Sequence, residues 1–207
     1  ASVRTGALAL LAGIPTRVGF ATASGRHFYT QRVTQPAGLH QYQKLALLAG
    51  DEPPGMPMLY PGIAERAAVD RLLSLSDAHV ETTLVAIAPA SAWATKRWPY
   101  FPDLARALTH HAQVEVGGAE SDHPLANEVC DATGGSATNA AGKLSLLGSG
   151  ELIRRCRLLV TNDSAPQHLA AAVGTPTLTI FGPTVPAFGF GPLGPRSGTV
   201  GTCRNLS

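Results

Sequence analysis

The chain has 207 residues, of which 44% are hydrophobic and 14% charged, so it can bury a core and does not have the composition of a disordered protein. Sixteen basic and fourteen acidic side chains leave a net charge of +2, which gives no electrostatic reason to expect a nucleic-acid-binding protein. Cys130, Cys156 and Cys203 are too few and too widely spaced for a disulfide framework or a close-spaced zinc motif. We therefore expect one large or two small globular domains in a reducing cytoplasm.

The first fifty residues predict one or two βα units. Helical patterns cover residues 6–12 and 40–48, and residues 17–20 are typical of a strand. This is too little for an independent sheet, so we expect part of a domain whose beginning is absent. The apolar run at residues 6–14 is only about half of the ~20 residues that cross a bilayer. The segment carries five basic residues and no carboxylate, which predicts that it attracts anions.

The rest of the chain predicts a parallel sheet covered by helices. Four prolines within residues 51–61 indicate a linker, and a helix is expected at 64–75. Short apolar runs then alternate with helical patterns, as in a Rossmann-type fold. The predicted strands are 84–88, 113–116, 158–161 and 177–181; the predicted helices are 99–110, 122–131, 149–157 and 164–173. Residues 182–201 are rich in Gly and Pro and are expected to be mostly loop. We place the domains at 1–58 and 59–207.

The strongest local signal is a buried strand that runs directly into a helix at residues 158–168. Pro166 suits a first helical turn, and Asp163 or Ser164 suits its N-cap. The amides of such a helix face the carboxyl edge of the sheet and suit a phosphate group. The alternative is that Asp163 is only a cap and that His168 is only a packed histidine.

A polar loop follows the first strand of the predicted sheet. It contains Ser91, Thr95, Lys96 and Arg97, and Lys96 is one of only three lysines in the chain. If the loop and the helix of the previous motif share one sheet edge, a pyrophosphate would fit between the lysine and the helix amino terminus. A solvated Lys-Arg pair beside a packed Trp98 is the alternative.

Two weaker signals concern a nucleotide. The segment 117–122, Gly-Gly-Ala-Glu-Ser-Asp, leaves the second strand at the same edge, where a carboxylate would accept hydrogen bonds from ribose hydroxyls; a glycine turn with Asp122 capping the next helix explains it equally well. Ala141-Gly142-Lys143 is superficially like a P-loop, but no glycine stands at the required distance before it and no strand precedes it. The chain also lacks a Gly-x-Gly-x-x-Gly fingerprint, which argues against a dehydrogenase.

These motifs together resemble one family. They are Trp-Ala-Thr-Lys-Arg-Trp-Pro at 93–99, Gly-Gly at 117–118, Ala-Gly-Lys at 141–143, Thr-Asn-Asp-Ser at 161–164 with His168, and Phe-Gly-Pro-Thr at 181–184. In order and approximate spacing they resemble the ADP-heptose:lipopolysaccharide heptosyltransferases, glycosyltransferase family nine, and most closely the heptosyltransferase II type. The resemblance is strong over about residues 84–200 and looser over 2–80.

The resemblance implies an α/β protein of GT-B type, with a complete carboxyl-terminal Rossmann-like donor domain and a partial amino-terminal Rossmann-like domain. It implies an inverting, metal-independent transfer of heptose from ADP-heptose to the lipopolysaccharide inner core, with no cofactor. It places the protein in the cytoplasm and allows a peripheral contact with the inner membrane.

The resemblance also assigns residues to the donor site. At the donor phosphates it places Ser91, Thr95, Lys96, Asp163, Ser164, Ala165 and His168. Around the nucleotide it places Gly118, Glu120, Asp122, Gly142, Lys143 and Ser145. It assigns no metal ligand, and it places the catalytic base upstream of Ala1.

The chain departs from the family pattern in three ways. Ala165 stands where many relatives have Gly. The segment 110–116 is a few residues shorter than in the family. About the first third of the family's chain, with the loop that carries the base, is missing. We therefore expect this chain to bind donor without transferring heptose at a useful rate. The alternatives are a non-catalytic nucleotide-sugar binding fragment and a GT-B nucleotide-sugar epimerase relative.

Overall fold

The computed structural model describes residues 2–50, 55–74, 83–194 and 196–201. The chain forms two compact units. The first comprises residues 1–55 and 187–190, and the second comprises residues 56–186 and 191–207. The predicted boundary between residues 58 and 59 lies three residues beyond this division, and the acceptor and donor roles of the two domains stay predictions. Within the described residues, no helix combines the length and the apolar character needed to cross a membrane.

The first unit contains two helices and a small parallel sheet. Its elements are α1 (Val3–Leu11), β1 (Val18–Phe20), β2 (Gln31–Val33) and α2 (Gln41–Ala49). Strands β1 and β2 pair in parallel. Gly19 in β1 packs against the ring of Tyr29, and a Cβ at this position would overlap that ring. The close approach therefore requires glycine.

The second unit is a six-stranded parallel sheet with helices. Its elements are α3 (Ile63–Leu73), β3 (Leu84–Ala88), α4 (Phe101–Leu108), β4 (Gln113–Val116), α5 (His123–Asp131), β5 (Ala137–Asn139), α6 (Leu146–Arg155), β6 (Leu158–Asn162), α7 (Ala165–Val173), β7 (Thr177–Phe181) and β8 (Gly198–Gly201). The strand order is β5-β4-β3-β6-β7-β8. This is the strand order of a Rossmann sheet, in which the direction of winding reverses between the two central strands. Here the reversal falls between β3 and β6, where the loops after the two strands diverge.

Two apolar cores cover the faces of the sheet. On one face, Ile87 and Val116 pack with Phe101 of α4 and Val129 of α5. On the other face, a cluster joins the sheet to α6 and α7; its buried members are Ala86, Ala88, Ile153, Cys156, Leu159 and Ala170. Because successive strand residues point to opposite faces, the apolar run of β3 serves both cores. This explains why β3 carries no alternation of polar and apolar residues.

Most predicted elements of the second unit are confirmed, and the exceptions have local causes. The strands predicted at 84–88, 113–116 and 177–181 have the predicted bounds. Helix α6 begins earlier than the predicted 149, because the Ser145 hydroxyl accepts a hydrogen bond from the Gly148 amide (3.0 Å) and caps it. It ends before 157 because Cys156 is extended. Leu75, the predicted end of α3, lies outside the described residues.

Three short strands were not predicted. Strands β2 and β5 have three residues each, too few to show a periodic pattern. Strand β8 was not predicted either; it lies at the end of the segment 182–201, which was predicted to be mostly loop. Its sequence is Gly-Thr-Val-Gly, and it is a strand because its backbone pairs in parallel with β7. Residues 202–207 lie outside the described part of the chain.

Glu151 in α6 is fully buried and ion-paired. Its carboxylate accepts hydrogen bonds from Arg154 Nε (2.7 Å) and Arg155 Nε (2.8 Å), and Arg155 also pairs with Asp70 of α3 (2.6 Å). The hydrogen bonds from Arg154 outweigh desolvation and, with those from Arg155, lower the pKa of Glu151 to about 2. The network therefore ties α6 to α3 through a carboxylate that is ionised in the folded state.

Glu115 in β4 is also fully buried but lacks a charged hydrogen-bond partner. Its Oε1 accepts only a long hydrogen bond from Gln113 (3.5 Å), and its Oε2 has no hydrogen-bond partner among the described residues. Desolvation raises the pKa of Glu115 to about 7, against the smaller opposing effects of Gln113, Thr138 and the charge of Lys143. A buried carboxyl that makes so few hydrogen bonds destabilises the fold when it ionises.

Replacing Glu151 with glutamine (E151Q) should lower the free energy of unfolding by about 2 kcal/mol at neutral pH, because hydrogen bonds to charged groups contribute about 1.5–3 kcal/mol. The folded-state pKa is depressed, so this contribution is present above the usual value of 4.5 and is lost as the pH falls toward about 2. Urea unfolding followed by fluorescence measures it, since Trp93 and Trp98 both lie in the second unit.

The matched control is Asp103→Asn, which breaks the exposed Asp103–Arg106 ion pair. It should change the free energy of unfolding by less than about 0.5 kcal/mol. An E151Q effect no larger than that of the control would contradict the assigned role of Glu151.

For Glu115 the dependence of stability on pH has the opposite sign to that of Glu151. The folded state keeps the proton up to about pH 7, whereas the unfolded chain releases it near 4.5, so the stability of the native chain falls as the pH rises between these values. Glu115→Gln removes this penalty and should gain about 3 kcal/mol relative to the native chain between pH 4.5 and 7. Urea unfolding of both proteins across this range measures the gain; a difference that does not change with pH would refute it.

Candidate functional site

A cavity of about 880 Å³ opens at the carboxyl edge of the sheet, where the winding reverses. All of its lining residues belong to the second unit. Its walls come from the loops after β3, β4, β5 and β6, from α6 and α7, and from residues of the strands. The volume is typical of a small-molecule site, and the position is where open α/β sheets bind ligands.

Lys96 and Asp163 meet across the switch point in this cavity. Lys96 follows β3 and Asp163 follows β6, and their side chains form an ion pair with Nζ 2.6 Å from Oδ2. The Asp163 side chain is 9% exposed and that of Lys96 is 21% exposed. Sequence reasoning placed both residues at one sheet edge but did not predict that they pair.

Asp163 holds further hydrogen bonds that fix its position. Its Oδ2 accepts one from the Thr184 hydroxyl (2.8 Å) and its Oδ1 accepts one from the Gln167 amide (3.0 Å). Gln167 in turn accepts a hydrogen bond from Thr179 (3.1 Å). Burial alone would raise the pKa of Asp163, but the hydrogen bonds and the charge of Lys96 lower it below its usual value. Asp163 is therefore ionised, and it holds Lys96 beside the amino terminus of α7.

Asn162, the residue before Asp163, holds the loop after β3 against the end of β6. Asn162 is fully buried; its oxygen accepts a hydrogen bond from the Trp98 amide (3.0 Å), and its amide donates to the Pro89 carbonyl (2.6 Å). Thr161 donates to the Ala88 carbonyl (3.2 Å). These bonds hold both ends of the loop that presents Lys96.

The amino terminus of α7 lies in the same cavity wall. Ser164 occupies the N-cap position, Pro166 lies in the first turn, and no side chain caps the helix. The alternative that Asp163 only caps α7 is therefore wrong. The Ser164 hydroxyl pairs with that of Thr161 (3.2 Å). Pro166 has no amide hydrogen and the Gln167 backbone amide bonds to the Ser164 carbonyl (3.3 Å), so the dipole of α7 is what favours an anion at this end. Lys96, paired with Asp163, lies beside it.

The loop after β4 supplies a further wall. Gly118 and Asp122 line the cavity, and the Asp122 carboxylate accepts a hydrogen bond from the Ala119 amide (2.9 Å). The Asp122 side chain therefore closes its own turn and lines the cavity, and it makes no capping hydrogen bond to α5. The contact with ribose stays a prediction.

The structure brings together about half of the predicted site residues. Those in the cavity wall are Ser91, Lys96, Gly118, Asp122, Asp163, Ser164 and Ala165. Six others do not line the cavity, although some lie beside residues that do: Thr95, Glu120, Gly142, Lys143, Ser145 and His168. Of these, Ser145 caps α6. Gly142 adopts a positive φ of 71° and donates its amide to the Gly118 carbonyl (3.1 Å), which joins the loops after β4 and β5.

Sequence reasoning missed the apolar wall and one carboxyl group. Leu144, Leu146, Leu152 and Ile153 line the cavity, and so does the buried Glu115. In the sequence, Glu115 is a single carboxylate within an otherwise apolar strand. The same pattern is found in a half-exposed strand whose charged residue faces solvent, so it did not indicate a buried carboxyl. Among the described residues, no cluster of three or more His, Cys, Asp or Glu side chains is placed to hold a metal ion.

Comparison with known proteins matches residues 1–206 to the model of glycosyltransferase family 9 (heptosyltransferase). Lipopolysaccharide heptosyltransferase 2 of Salmonella typhimurium is 31% identical over 159 residues, which are 71% of this chain and 44% of that protein. The chain thus spans less than half of the length of this relative.

Solved structures of heptosyltransferases have the same fold. E. coli ADP-heptose lps heptosyltransferase II superimposes with a TM-score of 0.74 at 25% identity, over 96% of this chain and 65% of that one. E. coli heptosyltransferase WaaC with ADP gives a TM-score of 0.72 at 19% identity, over 98% of this chain and 64% of that one. The predicted α/β fold of GT-B type is confirmed by this likeness. The match to the family model over almost the whole chain establishes that the protein belongs to glycosyltransferase family 9, the heptosyltransferases.

Proposed function

We propose that this chain binds ADP-heptose in the cavity of its second unit, as the donor-binding part of an enzyme that transfers the heptose to the inner core of lipopolysaccharide; transfer by the chain alone is expected to be slow, because the resemblance places the catalytic base outside it. The observation that carries this proposal is the Lys96–Asp163 pair beside the uncapped start of α7. A lysine and a helix amino terminus that converge in one cavity suit a diphosphate. The relatives named above are heptosyltransferases, two of them named for lipopolysaccharide and one solved with ADP.

The donor side of the reaction needs positive charge where ADP departs. When the bond between the sugar and the diphosphate breaks, its electron pair goes to the phosphate oxygen, and charge accumulates there. Lys96 and the amino-terminal end of the α7 dipole are already held in place and stabilise this charge without reorganisation. A single displacement by the acceptor hydroxyl on the opposite face of the sugar inverts the configuration. These fixed positive groups support a transfer that needs no metal ion.

Asp163 sets the balance of charge in this site. It neutralises Lys96 in the free protein, and its bonds to Thr184 and Gln167 keep the carboxylate fixed. A bound diphosphate would then contact a Lys96 ammonium group that is already held in position and whose charge is partly balanced by Asp163. Ser91 and the Ser164 hydroxyl are placed in the same wall to donate further hydrogen bonds.

The acceptor side is proposed from charge and from the relatives. Residues 1–50 carry five basic side chains and no carboxylate, which suits an inner core rich in phosphate and carboxylate. A cytoplasmic protein with a peripheral contact at the inner membrane fits such an acceptor.

Lys96→Met should weaken ADP binding by about 10- to 100-fold, because a hydrogen bond to a charged group contributes about 1.5–3 kcal/mol. Titration calorimetry with ADP measures the change, and a thermal melt shows whether each variant is folded. Lys44→Met is the matched control: it removes a lysine from the first unit and should leave ADP affinity unchanged. Equal affinity of Lys96→Met and the native chain would overturn the proposed donor site.

ADP affinity should be the same in EDTA and in excess Mg²⁺. Where Mg²⁺ bridges carboxylates and phosphates, chelation abolishes binding, whereas Lys96 and the dipole of α7 supply the positive charge here. The same calorimetric titration in the two buffers tests this. Loss of binding in EDTA would disprove metal independence.

A further inference from the structure

Thr179 in β7 carries a hydroxyl group in a fully buried position of the sheet. Leu178 and Ile180 of the same strand pack against the core on the side of α4 and α5, so Thr179 points to the opposite face. Strands that are covered on both faces are usually apolar, yet Thr179 is 0% exposed and polar. Its hydroxyl donates a hydrogen bond to Gln167 Oε1 of α7 (3.1 Å). The hydroxyl therefore serves a hydrogen bond to α7 that a valine of the same shape could not make.

We propose that Thr179 and Gln167 are positioning residues for the donor diphosphate, because they hold the Asp163 carboxylate in the orientation that keeps Lys96 in place. This inference rests on the proposed function, since it takes the diphosphate to bind at Lys96. Thr179 and Gln167 are fully buried and are not among the residues of the cavity wall. They act through Asp163 and Lys96 rather than by touching the ligand.

A chain of three contacts joins β7 to Lys96. Thr179 donates to Gln167 Oε1 (3.1 Å), and Gln167 Nε2 donates to Asp163 Oδ1 (3.0 Å). Asp163 Oδ2 in turn pairs with Lys96 Nζ (2.6 Å). Since the two oxygens of one carboxylate move together, the hydrogen bond to Oδ1 limits the directions in which Oδ2 can hold the ammonium group. The position of Lys96 therefore depends on a strand residue that lies behind the cavity wall.

The Thr179 hydroxyl determines which way the Gln167 amide faces. An ionised carboxylate only accepts hydrogen bonds, so Gln167 must present Nε2 to Asp163 and turn Oε1 toward Thr179. The hydroxyl of Thr179 satisfies that oxygen, and a buried oxygen without a partner is costly. The reversed amide would place two acceptor oxygens against each other at Asp163. Without the hydroxyl, the amide loses the partner that favours the correct orientation, and Asp163 loses its fixed donor.

Thr177 offers a matched control on the same strand. It lies two residues before Thr179, points to the same face of the sheet and is 2% exposed. Its hydroxyl donates to the Thr175 carbonyl (3.2 Å), which is a local bond that does not lead to Asp163. Thr177→Val and Thr179→Val remove the same group from one buried strand face, but only the second breaks the chain of contacts to Lys96.

Titration calorimetry with ADP on the native chain and these variants tests the proposal. Thr179→Val should weaken ADP binding by about 3- to 10-fold, because a neutral hydrogen bond is lost behind the group that holds Lys96. Thr177→Val should bind ADP like the native chain. Thr179→Ser keeps the hydroxyl and should bind ADP within about twofold of the native affinity. Urea unfolding shows that each variant is folded.

The effect should also depend on Lys96, because the proposed chain of contacts ends there. Adding Thr179→Val to Lys96→Met should leave the ADP affinity of Lys96→Met unchanged, whereas a general disturbance of the fold would lower it further. Where Thr179→Val does not fold, Gln167→Met breaks the same chain at its middle with an unbranched side chain. It should show a similar loss of affinity and the same dependence on Lys96.

The outcomes separate this inference from the proposed function. If the native chain binds ADP, but Thr179→Val binds it as tightly as Thr177→Val, the role of Thr179 is refuted and the donor site stands. The same holds if Thr179→Ser binds as weakly as Thr179→Val, if the loss persists in full without Lys96, or if folded Gln167→Met keeps the native affinity. If the native chain does not bind ADP, the proposed function fails and this inference fails with it.

Discussion

The parallel pairing of β3 with β6 is the constraint on which the candidate site depends. The two strands are 70 residues apart in the chain, and their pairing in register places Ala88 opposite Thr161. Both following loops therefore leave the sheet at one point, and Lys96 comes within 2.6 Å of Asp163. Asn162 and Thr161 make the junction rigid, since their side chains bond to the backbone of the neighbouring segment. A substitution that disturbs the pairing of β3 with β6 would therefore change the shape of the cavity even where it alters no side chain of the cavity wall.

The site combines opposite charges in a way that suits an anion. A lone lysine at this half-buried position would be costly to desolvate, and a lone aspartate beside α7 would repel a phosphate. The ion pair with Asp163 offsets the cost of desolvating Lys96. The hydrogen bonds from Thr184 and Gln167 spread the negative charge of Asp163. The start of α7 has no capping side chain, so the positive end of its dipole is not offset there by a capping group. This arrangement is the basis of the proposed binding of a diphosphate.

Two buried carboxyl groups show how environment decides the role of one residue type. Glu151 is surrounded by guanidinium groups that satisfy both of its oxygens, and it links α6 to α3. Glu115 is equally buried, but its neighbours are strand residues, and one oxygen has no partner in the described structure. The first is explained by the fold alone. The second lowers stability when it ionises, because its charge is buried without a charged partner to bond it.

The sequence by itself determined the class of fold and the main anion-binding elements. The apolar runs of β3 and β6, the proline and glycine that bound α7, and the family motifs indicated a Rossmann-like unit with Lys96 and Asp163 at one edge, because these signals are local to short segments. Only the tertiary structure decided that Lys96 pairs with Asp163, that Lys143 and His168 lie outside the cavity wall, and that Glu115 lies within it. It also decided that residues 198–201 form a strand. Each of these depends on which segments meet across the sheet, and pairing between residues far apart in the chain leaves no periodic signal in either segment.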